Sequence, residues 1–109
     1  LRDFNYVEDV VESLLLVGLN PYANGKIYNL GSSEVVGLKD LAEMMIGLRS
    51  GSSYEIVEFP SERKAIDIGD YYSDFSLIGD EIGWSPRVRL IDGLKRTLDY
   101  YERHHDQYW

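Results

Sequence analysis

Residues 2–16, RDFNYVEDVVESLLL, decide the class of the fold because two different patterns meet there. Aromatic and β-branched residues in positions 3–7 are typical of a β-strand. From Asp9 to Leu19, apolar residues occupy so much of the helical surface that we expect this helix to be buried on most sides. A short strand that leads directly into such a helix is typical of α/β proteins.

The remaining sequence continues the alternation of strands and helices. Apolar residues repeat with a helical period between Leu38 and Ile46. Gly83, followed by Pro86, marks the end of a short helix. We predict strands at Lys26–Leu30 and Tyr54–Phe59, a loop at 60–67, and helices at Leu38–Leu48, Ser76–Ile82 and Ile91–His105. This order predicts a single α/β domain over residues 1–109, with a small mixed or partly parallel sheet and flanking helices.

Composition and charge limit the classes of function. The net charge of −8 repels a phosphate backbone at long range and disfavours nucleic-acid binding. A small phosphorylated ligand stays open, because it needs only two or three local cations. No apolar stretch approaches the ~20 residues of a membrane-spanning helix, so we expect no membrane insertion. The absence of cysteine removes thiolate metal sites and cysteine nucleophiles, and it agrees with the cytoplasmic location that we expect.

Two short motifs match catalytic or cofactor patterns and are rejected on local chemistry. Tyr22 and Lys26 have the spacing of a tyrosine–lysine catalytic pair, but Asn24–Gly25 predicts a turn where that pair needs a helix. Gly31 and Gly37 lie between a predicted strand and a predicted helix, yet they are too far apart for a dinucleotide-binding loop. The residues alone therefore predict no catalytic set, no cofactor site and no metal site.

Three stretches together resemble a known family. In chain order they are RDFNYVEDVVESLLL, GKIYNLGSSEVVGLKDLAEMM and RKAIDIGDYYSDFSLIGDEIGWSPRVRLIDGLKRTLDYY, and the resemblance extends over nearly the whole chain, from Arg2 to about Tyr101. They resemble the extended short-chain dehydrogenase/reductase family, the Rossmann-type, NAD(P)-dependent nucleotide-sugar epimerases and dehydratases, with UDP-glucose 4-epimerase-like enzymes the most similar subgroup. The resemblance is to the C-terminal, substrate-binding part of these enzymes.

The resemblance assigns the first substrate-binding residues. The family's Arg-Asp-Phe/Tyr motif falls on Arg2, Asp3 and Phe4, and the arginine of that motif contacts the ligand diphosphate. A guanidinium suits this role because it can bind two phosphate oxygens at once. The resemblance thus implies that Arg2 and Phe4 bind the substrate, whereas Arg2 by itself would be interpreted as a surface cation.

A second basic position is implied near the middle of the chain. The family's Arg-x-x-Asp arrangement places its aspartate on Asp67 and its cation on Lys64, with Arg63 immediately before it. Either cation can neutralise a diphosphate, although lysine does so as a point charge. Two roles stay open for Asp67, a hydrogen bond to a ribose hydroxyl or an ion pair that holds the neighbouring cation. A structural salt bridge within residues 61–67 is the alternative interpretation.

Taken as a whole, the resemblance implies a substrate-binding segment of a larger enzyme. NAD(P), the glycine-rich loop and the catalytic Tyr-x-x-x-Lys belong to an N-terminal Rossmann domain, which we expect as a partner alongside a nucleotide-diphosphate sugar. We expect no turnover and no tight cofactor binding from these 109 residues alone. The apolar helix near the start is expected to expose a patch that favours homo-oligomers. The competing hypothesis is a free-standing acidic α/β module for binding or protein interaction, without enzymatic activity.

Overall fold

A short connection joins the first strand to the first helix. A computed structural model describes residues 1–109, in which strand β1 (Arg2–Asp3) precedes helix α1 (Val7–Leu19). Tyr6 is extended, with φ of −76° and ψ of 144°, and directly precedes the helix. The strand is therefore shorter than the predicted 3–7, and the helix begins at Val7 rather than at Asp9.

The other helices follow the predicted periodicity closely. The helices at Leu38–Leu48 and Ser76–Ile82 have the predicted bounds, and Gly83 after the second of them has a φ of 77°, which is the left-handed C-cap expected of glycine. The last predicted helix is divided at His104 into two helices. The remaining elements are a 3-10 turn (Pro21–Ala23), β2 (Val35–Val36), α2 (Leu38–Leu48), α3 (Ser61–Lys64), α4 (Ser76–Ile82), α5 (Leu90–Arg103) and α6 (His105–Tyr108).

The sheet is smaller than predicted. Strands β1 and β2 pair antiparallel, with Arg2 opposite Val36 and Asp3 opposite Val35. One isolated parallel bridge joins Arg2 to Tyr71. The architecture is thus a small mixed α/β fold with a two-stranded antiparallel sheet and six helices, and its parallel pairing is limited to that bridge.

The two further strands predicted from the sequence are wrong. Neither Lys26–Leu30 nor Tyr54–Phe59 joins the sheet, and every residue from Gly51 to Tyr72 is exposed. A strand depends on a neighbouring strand to satisfy its backbone hydrogen bonds, so an apolar alternating pattern does not form one alone. The predicted loop at 60–67 contains the short helix α3.

The core centres on Trp84, which lies just after α4. Trp84 and Ile78 are each only 1% exposed, and Phe75 meets the Trp84 ring edge-on at 6.2 Å between centroids. The indole Nε1–H donates to the backbone carbonyl of Asp9 at 3.0 Å. This contact fixes α1 against the connection between α4 and α5, so the core joins segments that lie far apart in the sequence.

Helix α1 presents its apolar side to solvent. Asp9 and Ser13 are the buried residues of this helix, whereas Val7, Val11, Leu14 and Leu15 are exposed. Positions 7, 11, 14 and 15 share one face of a helix. The prediction of a helix buried on most sides is therefore wrong for this chain, because none of its other elements covers that face. The exposed apolar patch expected from the sequence is present.

The overall dimensions agree with this incomplete packing. The Cα radius of gyration is 17.0 Å, whereas a compact domain of this length has a value of about 13 Å. None of the helices has the length and apolar character needed to cross a membrane.

Candidate ligand-binding site

Arg2 is the residue around which the candidate site is built. Its backbone lies between β2 and Tyr71, and its side chain is 30% exposed. The Nη1 group donates to the carbonyl of Leu1 at 2.8 Å and to the carbonyl of Gly69. The Nη2 group lies 3.7 Å from Oδ1 of Asp67. The guanidinium is thus held by neighbouring groups yet stays accessible from solvent.

Asp67 is the carboxylate that the structure places beside Arg2. Its Oδ1 also accepts the backbone N–H of Gly69 at 3.1 Å, which shapes a tight turn in which Gly69 has a φ of 68°. Two of the substrate-binding residues expected from the sequence, Arg2 and Asp67, are therefore brought together from distant parts of the chain. A salt bridge within residues 61–67 does not form.

Arg63 and Lys64 lie on the short helix α3, one helical turn before Asp67. Both residues are exposed, and neither side chain makes a hydrogen bond or an ion pair. Their pairing with Asp67, one of the roles left open by the sequence, is absent because Asp67 pairs with Arg2 instead. Arg63 and Lys64 are therefore two unpaired cations that lie close in sequence to Asp67, the partner of Arg2.

Phe4 lies in a different place from these residues. It lines a cavity of about 170 Å³ together with Asn5, Tyr6 and residues in and just before the first half of α5. Gly93 belongs to this lining, and a side chain there would meet the Tyr6 ring at 3.1 Å. None of Arg2, Arg63, Lys64 or Asp67 lines the cavity, so the structure does not bring Phe4 together with the cationic residues.

Asp3 has a structural role that the sequence did not reveal. Its Oδ2 accepts the backbone N–H groups of Ser32 at 3.2 Å and Ser73 at 3.1 Å. It thereby fastens two loops to β1, directly beside Arg2. The available signal was an acidic residue inside a predicted strand, because such a residue needs hydrogen-bond partners when it is partly buried.

Comparison with known proteins shows similarity over nearly the whole length of the chain. No family model matches the sequence, and no solved structure matches it significantly. UDP-D-apiose/UDP-D-xylose synthase 1 of Arabidopsis thaliana is 34% identical over 94% of the chain and 29% of its own length. The dTDP-glucose 4,6-dehydratase of Streptomyces griseus is 31% identical over 95% of the chain and 31% of its own length. GDP-L-fucose synthase 1 of Arabidopsis thaliana is 29% identical over 93% of the chain and 30% of its own length.

The chain belongs to the extended short-chain dehydrogenase/reductase family. It spans about 30% of the length of these curated relatives. Their names are those of synthases and dehydratases, so they give no support to the isomerase, UDP-glucose 4-epimerase-like subgroup that the sequence suggested. The family assignment stands at the level of nucleotide-sugar enzymes.

The Tyr-x-x-x-Lys spacing at Tyr22 and Lys26 does not form the family's catalytic pair. Tyr22 lies in the 3-10 turn rather than in an α-helix, and it is 80% exposed. The Lys26 ammonium lies 2.8 Å from Oε2 of Glu81, which neutralises it. The Tyr28 hydroxyl donates to the same oxygen at 2.6 Å, and this hydrogen bond to a carboxylate raises the pKa of Tyr28 to about 12. Lys26 therefore belongs to a local polar cluster with Tyr28 and Glu81.

The loop between Gly31 and Gly37 does not fit the pyrophosphate of NAD(P). The backbone N–H of Ser32 donates to Asp3, and that of Gly37 lies 3.4 Å from Oδ2 of Asp40. A Cβ atom at Gly31 would lie 2.8 Å from the Phe75 ring, so no room is left beside the backbone. Two carboxylates thus occupy the place where a dinucleotide loop offers free amides to an anion. The structure also contains no group of three or more side chains that could hold a metal ion.

Proposed function

We propose that this chain binds the diphosphate of a nucleotide sugar as the substrate-binding segment of an NAD(P)-dependent enzyme. The observation that carries the proposal is the partly exposed guanidinium of Arg2 beside a segment with two unpaired cations, Arg63 and Lys64. The relatives support the ligand class, because their names refer to UDP, dTDP and GDP sugars. What these compounds share is a nucleoside diphosphate.

The charges of the chain favour such a ligand at this place. With a net charge of −8, most of the surface repels a diphosphate, so binding requires a local group of cations. Arg2 can offer two parallel N–H donors to phosphate oxygens, whereas Lys64 acts as a point charge. Arg63 and Lys64 form no ion pair with a carboxylate of the chain, so both side chains are available to a ligand.

The cofactor NAD(P) and the dinucleotide-binding domain of the proposed enzyme are not assigned to this site. None of the residues of this chain is proposed to hold NAD(P), since the one loop with a suitable position does not fit the cofactor. We propose that the exposed apolar face of α1, formed by Val7, Val11, Leu14 and Leu15, packs against the dinucleotide-binding domain of the parent enzyme. The relatives support this arrangement, since about two thirds of their length lies outside the matched part.

The proposal is tested by titrating the 109-residue protein with UDP in a calorimeter. Arg2→Ala is expected to weaken binding by about tenfold or more, because a charge-assisted contact to phosphate is lost. Arg103→Ala is the matched control, since Arg103 is an exposed arginine on α5 whose Nε donates to a backbone carbonyl of the same helix. Equal affinities for UDP in both variants, or no UDP binding by the unaltered protein, would contradict the proposal and favour an interaction module instead.

A further inference from the structure

The segment of residues 60–72 is attached to the rest of the protein at a single place. All residues of this segment are exposed, and its hydrogen bonds and ion pairs to other parts of the chain are with Leu1 and Arg2. Within these contacts, Arg2 supplies the only side chain from outside the segment. The position of Arg63 and Lys64 therefore depends on Leu1 and on Arg2, and Arg2 is itself proposed to bind the ligand.

Asp67 and a ligand phosphate require the same group. The carboxylate lies 3.7 Å from Nη2 of Arg2, and it is 40% exposed, so it faces the same solvent from which a ligand approaches. A phosphate that approaches the guanidinium meets this negative charge at close range. Gly69, the other contact of Arg2 in the segment, offers a neutral carbonyl and does not repel an anion.

We propose that Asp67 is a positioning residue that holds the Arg2 guanidinium in the free protein and is displaced by the incoming phosphate. This inference rests on the proposed function, because it assigns a partner to the same cation. Displacement removes the ion pair between Arg2 and the segment, while the contacts with Leu1 and the Gly69 carbonyl remain. The segment then shifts about these remaining contacts and brings Arg63 and Lys64 closer to the bound anion. Binding of the diphosphate and the position of residues 60–72 are thereby coupled through one side chain.

The coupling is tested with Asp67→Asn and inorganic pyrophosphate, which lacks a ribose and so isolates the effect at the phosphate. We expect Asp67→Asn to bind pyrophosphate about two- to fivefold more tightly, the range that corresponds to releasing one partly exposed ion pair. Glu62→Gln is the matched control, because Glu62 lies in α3, makes no hydrogen bond or ion pair, and loses the same charge. Its affinity for pyrophosphate is expected to stay near that of the unaltered protein.

A second measurement shows whether Asp67 acts through Arg2. In the ¹⁵N spectrum of the free protein, the Nε–Hε signal of Arg2 is expected to move in Asp67→Asn and to stay in place in Glu62→Gln. Weaker pyrophosphate binding by Asp67→Asn, equal gains in both variants, or an unmoved Arg2 signal would each overturn the inference. If pyrophosphate binds but Arg2→Ala binds it equally well, the proposed function fails as well, and the two failures are therefore distinguishable.

Discussion

Replacing Asp9 tests how its carboxylate fastens α1 to the connection between α4 and α5. Asp9 is 3% exposed, and its Oδ1 and Oδ2 accept the backbone N–H groups of Arg87 at 3.2 Å and Val88 at 3.0 Å. In Asp9→Asn, an NH₂ group replaces one of these oxygens and faces a buried N–H donor. The variant thus retains one of the two hydrogen bonds and leaves one donor without a partner.

The magnitude follows from that single unsatisfied donor. A buried donor without a partner costs about 1–3 kcal/mol, so we expect Asp9→Asn to lower the free energy of unfolding by this amount. Asp9→Ala removes both acceptors and is expected to cost about 2–6 kcal/mol. For a domain of this size, the loss in Asp9→Asn corresponds to a fall in melting temperature of roughly 4–20 °C.

Urea unfolding followed by the fluorescence of the buried Trp84 measures these losses. Glu12→Gln is the control, because Glu12 lies one turn further along α1 and pairs with the exposed Arg87 side chain at 3.0 Å. We expect this exposed pair to contribute less than about 1 kcal/mol. Unfolding of Asp9→Asn at the same urea concentration as the unaltered protein, or an equal loss of stability in Glu12→Gln, would contradict the role assigned to the Asp9 carboxylate.

Two further predictions concern the packing around β1 and the ionisation of a tyrosine. Gly31→Ala is expected to lower the free energy of unfolding by about 1–3 kcal/mol, because its Cβ would lie 2.8 Å from Phe75; Gly47→Ala, in open space within α2, should instead be neutral or stabilising in the same urea assay. The pKa of Tyr28 is raised from 10.0 to about 12 by its hydrogen bond to Glu81, so the resulting stabilisation is present below pH 10 and is lost as the pH rises toward 12. Spectrophotometric titration should show one tyrosine of Glu81→Gln ionising at lower pH than before, and unchanged curves would contradict the assigned hydrogen bond.

The helices could be predicted because their signals are local. Apolar residues repeat with a helical period through α2, and Gly83 supplies the left-handed residue that ends α4. Both helices therefore have the predicted bounds. The division after α5 was missed because helix-forming residues continue through His104, and nothing in the local pattern requires a break there.

The strands could not be predicted to the same degree, because a strand is defined by its partner. Tyr54–Phe59 alternates apolar and acidic residues as a strand would, yet no other segment of this chain pairs with it. The burial of the apolar face of α1 was mispredicted for the same reason, since an apolar stripe does not show which element packs against it. Its polar side, with Asp9 and Ser13, is the buried one because those groups find hydrogen-bond partners within the fold.

The family resemblance, the helical segments and the residue types of the candidate site follow from the amino-acid sequence, since each depends on motifs or on neighbours a few positions apart. The folded molecule is needed to see that Asp67 lies beside Arg2, that Phe4 lies elsewhere, and that Asp3 and Asp9 hold loops together. These contacts join residues far apart in the chain, and their formation depends on the packing of the whole molecule. An ion pair or a buried hydrogen bond of this kind leaves no periodic pattern in the sequence, so it becomes visible only when the chain has folded.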